Sequence, residues 1–278
     1  MKIIDSFIFY NELDLLKYRL SILNDYVDYF ILVESTHTFT GHPKKLFYNE
    51  NKKLFDKFNQ KIIHIVVDDF PYKYPNINYN LRQQNINENH QRECIKRGII
   101  KIITLENNDI ILFSDLDEIP DPKILFKAKN NTLLFDETNF NRLALDMYYY
   151  NLNLRVGDGQ NWHGIKLMTW NVLKNTKLTF QQIRLFEHTH NVNIIPYGGW
   201  HLSYFGNTKF IYNKLENFKE MEHQHQIAYN KYCENTINTA INNDINILNG
   251  NKLQKIKVKD NTNLPPQYEI YLKDYYIE

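Results

Sequence analysis

The chain has 278 residues, of which 43% are hydrophobic and 14% aromatic, enough for the core of one large domain or two small ones. Its 33 basic and 32 acidic residues leave a formal net charge of +1, so overall charge gives no indication of a nucleic-acid or acidic-lipid partner. The two cysteines, Cys94 and Cys233, lie far apart without metal-ligand spacing, which favours a reducing compartment or a protein that does not use disulfides.

The first part of the chain alternates strand and helix patterns. Apolar runs predict strands in KIIDSFIFY (2–10), VDYFILVES (27–35), KIIHIVV (61–67) and DIILFSD (109–115). Helical spacing occurs in ELDLLKYRLSIL (12–23), and residues 78–105 read as long, polar and mainly helical. This order predicts an α/β fold with a mainly parallel, Rossmann-like sheet flanked by helices.

The later part has a different character. FNRLALDMYYYNLNL (140–154) and IKLMTWNVL (165–173) are aromatic and alternating, which is more typical of antiparallel strands. From residue 208 to about 248 the pattern is helical, and the chain ends in a polar, Tyr-rich tail. Without an internal repeat or a Ser/Gly linker, we expect a single domain over residues 1–278.

The N-terminal residues do not read as a signal peptide, because Asp5, Asn11, Glu12 and Asp14 interrupt the apolar run. No stretch reaches the roughly 18 apolar residues that a membrane helix needs. We therefore expect a cytoplasmic protein without a transmembrane segment.

The stretch DIILFSDLDEIP (109–120) carries the strongest chemical signal. Ligands of open α/β sheets bind at the carboxyl ends of the strands, and Asp115 and Asp117 stand at such an end. Residues i and i+2 of an extended segment point the same way, so the two carboxylates form a candidate site for a hard divalent cation that could hold a diphosphate. The alternative is that Asp117 or Glu118 caps the helix that PDPKILFKAK (120–129) begins. For Glu118 the two roles are orienting the site and capping this helix, of which we favour the cap.

Several stretches, in the same order along nearly the whole chain, resemble glycosyltransferase family 17. DLDEIP resembles the D-x-D-E-I-P motif of that family, and GGWHLSYFG (198–206) resembles its Gly-Trp-His-x-Ser block. Further similar stretches are DSFIFYNELDLLKYRL (5–20), FILVESTHTFTGHPKKLFY (30–48), ENHQREC (88–94) and LPPQYEIYLKDYYIE (264–278). No single stretch is specific for the family, but the set of stretches taken together is.

The resemblance implies a GT-A type fold and an inverting, metal-dependent transfer of a sugar to a glycan hydroxyl. The donor it implies is a UDP-sugar, UDP-N-acetylglucosamine first, with Mn²⁺ or Mg²⁺ as the ion and a mannose-containing glycan or glycoprotein as the acceptor. In this scheme residues 1–120 bind the nucleotide-sugar, and residues 121–278 form the acceptor side with the C-terminal helices.

For the metal, the resemblance implies direct ligation by Asp117, with Asp115 meeting the ribose or a water on the ion. A late histidine often reaches the metal in GT-A enzymes, and His201 has the matching place in chain order; a structural, hydrogen-bonded histidine is the alternative. Candidate donor contacts are Glu34 at the end of the second strand, Lys44, Arg92 and Arg184. The planar guanidinium of Arg92 has two possible targets, a diphosphate or Asp115. For each of the four residues the alternative is a solvated surface charge.

An inverting transfer needs a base that takes a proton from the acceptor hydroxyl. Carboxylates downstream of DLDEIP are the candidates: Glu222 ranks first, followed by Asp146 and Glu187, with Asp158 also available. Trp162, Trp170, Trp200 and the run 147–150 are candidates for stacking on sugar faces, with burial in the core as the alternative.

Other functions fit the sequence less well. An aspartyl-phosphate phosphatase would carry its D-x-D on the first strand, and a glycosidase would not need a D-x-D with a late histidine. A transferase with another UDP-sugar or acceptor, and a non-catalytic glycan-binding module, remain as alternatives.

Overall fold

The computed structural model describes residues 1–157, 159–160, 162–185, 192–217 and 233–277. Its strands are β1 (Ile3–Phe9), β2 (Tyr29–Ser35), β3 (Ile62–Val67), β4 (Ile110–Asp115), β5 (Glu118–Pro120), β6 (Asn141–Tyr149), β7 (Leu154–Arg155), β8 (Lys166–Thr169), β9 (Asn193–Ser203) and β10 (Gln254–Lys255). Its α-helices are α1 (Leu13–Leu23), α2 (Phe47–Glu50), α3 (Gln83–Glu93), α4 (Ile95–Ile99), α5 (Pro122–Lys129), α6 (Trp170–Asn175), α7 (Phe180–Arg184), α8 (Thr208–Asn217), α9 (Glu234–Asn242) and α10 (Tyr268–Tyr271).

Four strands from the first part of the chain form a parallel block in the order β3-β2-β1-β4. Every residue of β1 is buried, and β2 and β4 are buried except at one end, which explains why these strands are largely apolar in sequence. The chain goes from β1 outward through β2 and β3, then returns to add β4 on the other side of β1. The carboxyl ends of β1 and β4 therefore flank a topological switch point, where α/β sheets bind ligands.

The sheet as a whole is mixed, so the prediction of a mainly parallel sheet is wrong beyond this block. Of the strand pairings among the described residues, four are parallel and five antiparallel. Strand β8 runs antiparallel to both β4 and β6, and so extends the same sheet into the later part of the chain. The strands of residues 1–120 and of residues 121–278 thus belong to one ten-stranded sheet.

Strand β9 brings the later part of the chain onto the switch point. It lies parallel to β6 and antiparallel to the short strand β5, which places His201 opposite Glu118. Gly199 has a φ of +145°, and a Cβ there would clash with the carbonyl oxygen of Ile119. Glycine is therefore required for β9 to approach β5 this closely.

The core has an apolar cluster on each face of the parallel block. Ile3 and Phe7 face the cluster that contains α1, while Ile4 and Ile8 face the cluster that contains α4, as expected from strand alternation. A third cluster joins β6 to α8 and α9. No described helix is both long enough and apolar enough to cross a membrane.

Two predicted elements end earlier than expected. IKLMTWNVL changes from strand to helix within its length, because the Thr169 hydroxyl accepts a hydrogen bond from the Val172 amide and caps α6. In residues 78–105 the second of the two α-helices ends at Ile99, and residues 104–106 have no regular structure.

Candidate active site

A cavity of about 270 Å³ opens at the switch point between β1 and β4. Tyr10 and Glu12 line it from the end of β1, Asp115 and Asp117 from the end of β4, and His201 from β9. The cavity therefore contains the predicted carboxylates together with the predicted histidine, which is 86 positions further along the chain than Asp115.

Residues 115–118, which join β4 to β5, form the DLDE turn, which is held in place by a fully buried arginine that the sequence analysis missed. Arg19 of α1 pairs with Asp5 of β1 at 2.6 Å, and neither side chain is exposed. Its guanidinium also donates to the carbonyl oxygens of Asp115, Leu116 and Glu118 at 2.9, 3.0 and 2.8 Å. Arg19 therefore fixes the backbone from which the acidic side chains project.

Asp115 lies between two arginines. Arg92 Nη2 donates to its two oxygens at 3.0 and 3.2 Å, and Arg184 Nη2 lies 2.8 Å from Oδ2. Burial raises the pKa of Asp115, but Arg184 and Arg92 outweigh that effect and bring the pKa down to about 2. Of the two roles predicted for Arg92, the one observed is the contact with Asp115, and Asp115 is ionised at every physiological pH.

Asp117 is the carboxylate with one oxygen towards the predicted histidine. His201 Nε2 lies 3.6 Å from Oδ1, and Lys214 Nζ lies 2.8 Å from Oδ2. Burial raises the pKa of Asp117, but Lys214 and His201 hold it well below the usual range of a carboxyl. Lys214, on α8, also lies 3.2 Å from Glu12 Oε1.

Glu118 does not cap a helix, so that interpretation is wrong. Asp121 caps α5 instead, its side chain accepting from the Lys123 amide at 2.8 Å, while Glu118 belongs to β5 and is fully buried. The Glu118 carboxylate accepts from Trp162 Nε1 at 2.6 Å and from Arg184 Nη2 at 2.9 Å.

The Glu118 carboxylate also closes the DLDE turn, because it accepts a hydrogen bond from the Asp115 amide at 2.8 Å. A Cβ on Gly164 would clash with the Glu118 carboxylate, so a glycine is needed beside it.

His201 lies against Trp162, with ring centroids 4.8 Å apart. Its side chain is buried, and among the described residues no atom hydrogen-bonds to Nδ1. In a histidine with a purely structural role, the buried ring nitrogens are expected to have hydrogen-bond partners.

The donor set at this point fits a divalent cation. The 3.6 Å between His201 Nε2 and Asp117 Oδ1 is too long for a strong hydrogen bond, but suits two ligand atoms each about 2.1 Å from one ion. Five carboxylates and three cationic side chains line the cavity. With His37 and His201 counted as neutral, the formal charge of these side chains is −2, which one divalent ion would neutralise.

A second group of potential ligands, Asp69, His90 and Cys94, does not fit a metal ion. Both Asp69 oxygens accept hydrogen bonds from Arg97, at 3.1 and 2.6 Å. Burial raises the pKa of the Cys94 thiol to about 11, which keeps it protonated. None of these residues lines the cavity.

Three predicted site residues do not line the cavity: Glu34, Lys44 and Asp146. Glu34 is fully buried at the end of β2, where it accepts from the Tyr48 amide at 2.9 Å and contacts His64 at 3.1 Å. The Lys44 ammonium lies 5.4 Å from the centre of the Tyr10 ring, and burial lowers its pKa to about 8.

Asp146 is on β6, between the cavity-lining Met147 and the core residue Leu145, and does not itself line the cavity. Its carboxylate accepts from the Gln160 amide at 3.0 Å and from the Asn263 side chain. Glu187 and Glu222, and Asp158 with them, lie outside the described residues.

Of the residues that the sequence analysis missed, Arg19 carried a readable signal. It falls at i+3 from Leu16 and i−4 from Leu23, within the apolar stripe of α1, where a charge needs a buried partner. Lys214 carried none, because nothing local distinguishes it from the other lysines of the later chain.

The family assignment rests on the comparison with known proteins. The model of glycosyltransferase family 17 matches residues 1–254. The chain belongs to glycosyltransferase family 17. This confirms the resemblance inferred from DLDEIP and GGWHLSYFG.

Among curated members, the chain is similar to two β-1,4-mannosyl-glycoprotein 4-β-N-acetylglucosaminyltransferases. It is 30% identical to the human protein over 114 residues and 28% identical to the rat protein over 123 residues. These matches cover 40% and 43% of this chain but only 20% and 22% of the relatives, so the similarity spans about a fifth of their length.

Two solved structures have weak similarity to the chain. The inositol-1-phosphate CTP transferase from T. maritima is 12% identical, with a TM-score of 0.39 over 76% of this chain and 94% of that one. A glycosyltransferase involved in glycosylation of the major capsid of PBCV-1 is 11% identical, with a TM-score of 0.30 over 70% and 82%. Scores this low do not establish a common fold.

Proposed function

We propose that this family 17 member is an inverting, metal-dependent glycosyltransferase that moves a sugar from a UDP-sugar donor to a glycan hydroxyl. The observation that carries the proposal is the cavity at the switch point, where Asp117 and His201 face one another across 3.6 Å. The proposed fold is of the GT-A type, with residues 1–278 as one domain, in keeping with the DLDE turn at the end of a parallel strand and with a sheet that includes both halves.

In this proposal Asp117 and His201 hold Mn²⁺ or Mg²⁺, and Asp115 lies beside them to meet the donor ribose. The bound ion would supply Lewis-acid stabilisation of the diphosphate leaving group. Arg92 and Arg184 hold Asp115 ionised and oriented. Arg184 reaches both Asp115 and Glu118, so it keeps the two ends of the turn at a fixed separation.

The acceptor hydroxyl must lose a proton as its oxygen attacks the anomeric carbon and the bond to the diphosphate breaks. The described cavity carboxylates are poor candidates for this base, because each contacts a lysine or arginine: Glu12 and Asp117 contact Lys214, Glu88 contacts Arg92, and Asp115 and Glu118 contact Arg184.

We therefore propose that the base comes from the segment that follows α8; Asn217, the last residue of that helix, lines the cavity. Glu222 is the first candidate there, with Asp146 and Glu187 as alternatives. On the donor side, Glu34 and Lys44 do not line the cavity, so we propose that they act indirectly rather than by contact with the nucleotide.

The names of the human and rat relatives support N-acetylglucosamine as the sugar and mannose as the accepting residue. Trp162, beside His201 and hydrogen-bonded to Glu118, offers an indole on the cavity wall for stacking against a sugar ring.

The test is the binding of UDP by isothermal calorimetry, with and without Mn²⁺, for wild type, Asp117→Asn and the control Asp25→Asn, which removes an exposed carboxylate far along the chain from the DLDE turn. We expect Mn²⁺ to strengthen UDP binding at least about tenfold in wild type and in the control, and to have little effect in Asp117→Asn. Absence of UDP binding under all conditions contradicts the proposal. Binding of a mannose-containing glycan without any nucleotide binding would instead identify a glycan-binding module.

A further inference from the structure

Lys214 occupies an unusual position for a site that takes a divalent cation. Its ammonium lies 2.8 Å from Asp117 Oδ2 and 3.2 Å from Glu12 Oε1, and only 12% of its side chain is exposed. One oxygen of the proposed metal ligand Asp117 therefore already contacts a cation, while the other oxygen faces His201.

The surroundings of Lys214 allow it to move between two partners. Lysine carries a compact charge on a flexible four-carbon stem, so its ammonium can shift by a few ångströms while the helix stays in place. Helix α8 is anchored beside it, because Tyr10 donates to Asn213 at 2.8 Å and Ile211 is fully buried. Glu12 is also fixed, since its Oε2 accepts from the Asn11 amide at 3.0 Å.

We propose that Lys214 competes with the divalent cation for Asp117 and withdraws to Glu12 when the cation binds. This inference rests on the proposed function, because it takes Asp117 as a metal ligand. Lys214 thereby acts as a positioning residue: it balances the buried carboxylate when the cation is absent and lowers the affinity for free metal.

The competition has a consequence for the order of binding. A divalent ion at Asp117 meets the nearby positive charge of Lys214, and the two repel each other. A nucleotide diphosphate brings negative charge to the same place and offsets that repulsion. The chain should therefore bind free metal weakly and bind metal together with the nucleotide more strongly, which makes the two ligands cooperative.

The experiment measures Mn²⁺ binding to the full chain without nucleotide, from the paramagnetic resonance signal of free Mn²⁺. The variants are wild type, Lys214→Met and the matched control Lys209→Met, which removes an exposed charge from the same helix. We expect Lys214→Met to bind Mn²⁺ about ten- to a hundredfold more tightly than wild type, the range that corresponds to loss of a charge-assisted hydrogen bond. Lys209→Met should match wild type within about twofold.

A second pair of variants tests the role of Glu12. Glu12→Gln removes the negative charge of the alternative partner of Lys214, so Mn²⁺ binding should weaken more in the wild-type background than in the Lys214→Met background. Equal weakening in the two backgrounds means that Glu12 acts only through its charge, and it contradicts the withdrawal step.

The outcomes separate this inference from the proposed function. If wild type binds Mn²⁺ and Lys214→Met binds it equally or less tightly, the competition is wrong while the metal site stands. If neither protein binds Mn²⁺ at millimolar concentration, the metal site itself is wrong and the inference fails with it. Circular dichroism checks folding, and Lys214→Gln, which can still donate to Asp117, replaces the methionine variant if that one is unfolded.

Discussion

Replacing Arg19 by methionine should destabilise the protein strongly, because it removes the buried cation that holds the backbone of the DLDE turn in place. Arg19 donates six hydrogen bonds: two to Asp5, one to Ser114 and three to backbone carbonyl oxygens of the turn. Both charged side chains of the pair have zero exposure. Asp5 would remain buried without a counter-charge, and the three carbonyls would lose their donor.

Removal of one partner of a buried ion pair costs about 3–5 kcal/mol, a large fraction of the roughly 5–15 kcal/mol by which native proteins are stable. Arg19→Lys keeps the charge but offers a single nitrogen, so we expect a smaller loss of about 1–3 kcal/mol from the unmatched carbonyls. The double variant Arg19→Met/Asp5→Leu removes both charges and should be more stable than Arg19→Met alone.

The assay is urea unfolding followed by tryptophan fluorescence, with UDP affinity measured in parallel. Lys17→Met is the control, since it removes an exposed charge from the same helix and should change stability by no more than about 0.5 kcal/mol. The double variant should recover stability without recovering UDP affinity, because the turn still lacks its donors. The reasoning is refuted if Arg19→Met loses less than about 1 kcal/mol, or if the double variant is no more stable than the single one.

Three further predictions concern stability, packing and pH. Asp121→Ala, which removes the cap of α5, should lower the free energy of unfolding by about 1 kcal/mol and leave Mn²⁺ affinity unchanged; no measurable loss in urea unfolding would contradict the cap. Gly164→Ala should displace the Glu118 carboxylate and weaken UDP binding, and calorimetry that found wild-type affinity would show that this carboxylate can shift freely. Burial lowers the Lys44 pKa from 10.5 to about 8, so between these pH values the unfolded chain binds a proton that the folded chain does not, and the free energy of unfolding should rise with pH. Lys44→Met should lack that rise. Identical pH profiles of urea unfolding in the variant and wild type would refute the burial effect.

Local pattern was sufficient to predict the parallel block. Buried parallel strands need apolar residues on both faces, so β1, β2 and β4 appear in the sequence as largely apolar runs, interrupted in β1 by Asp5 and Ser6. The acidic residues that begin at Asp115 mark the carboxyl end of β4. The direction of strands β5 to β10 depends on which partner each one meets, and that information is not local. The three-residue strand β5 is too short to leave any pattern.

The same limit applies to the candidate site. Asp115 and Asp117 were predictable because they are adjacent to their strand, whereas Lys214 reaches Asp117 only through the packing of α8 on β6. Glu118 was misread as a cap because a helix start with proline at position 122 lay close by. Asp121, the residue directly before that proline, has the spacing of a true cap and was the better choice.

The measurement that tests the central claim most directly is transfer itself. UDP-N-acetylglucosamine and other UDP-sugars are incubated with a mannose-containing glycan and Mn²⁺, and the product is followed by mass spectrometry and UDP release. We expect wild type and the Asp25→Asn control to add one sugar to the glycan, and Asp117→Asn to be at least about 10²-fold slower, because the leaving group loses its stabilisation. No transfer from any UDP-sugar, or equal rates in Asp117→Asn and wild type, would contradict the account.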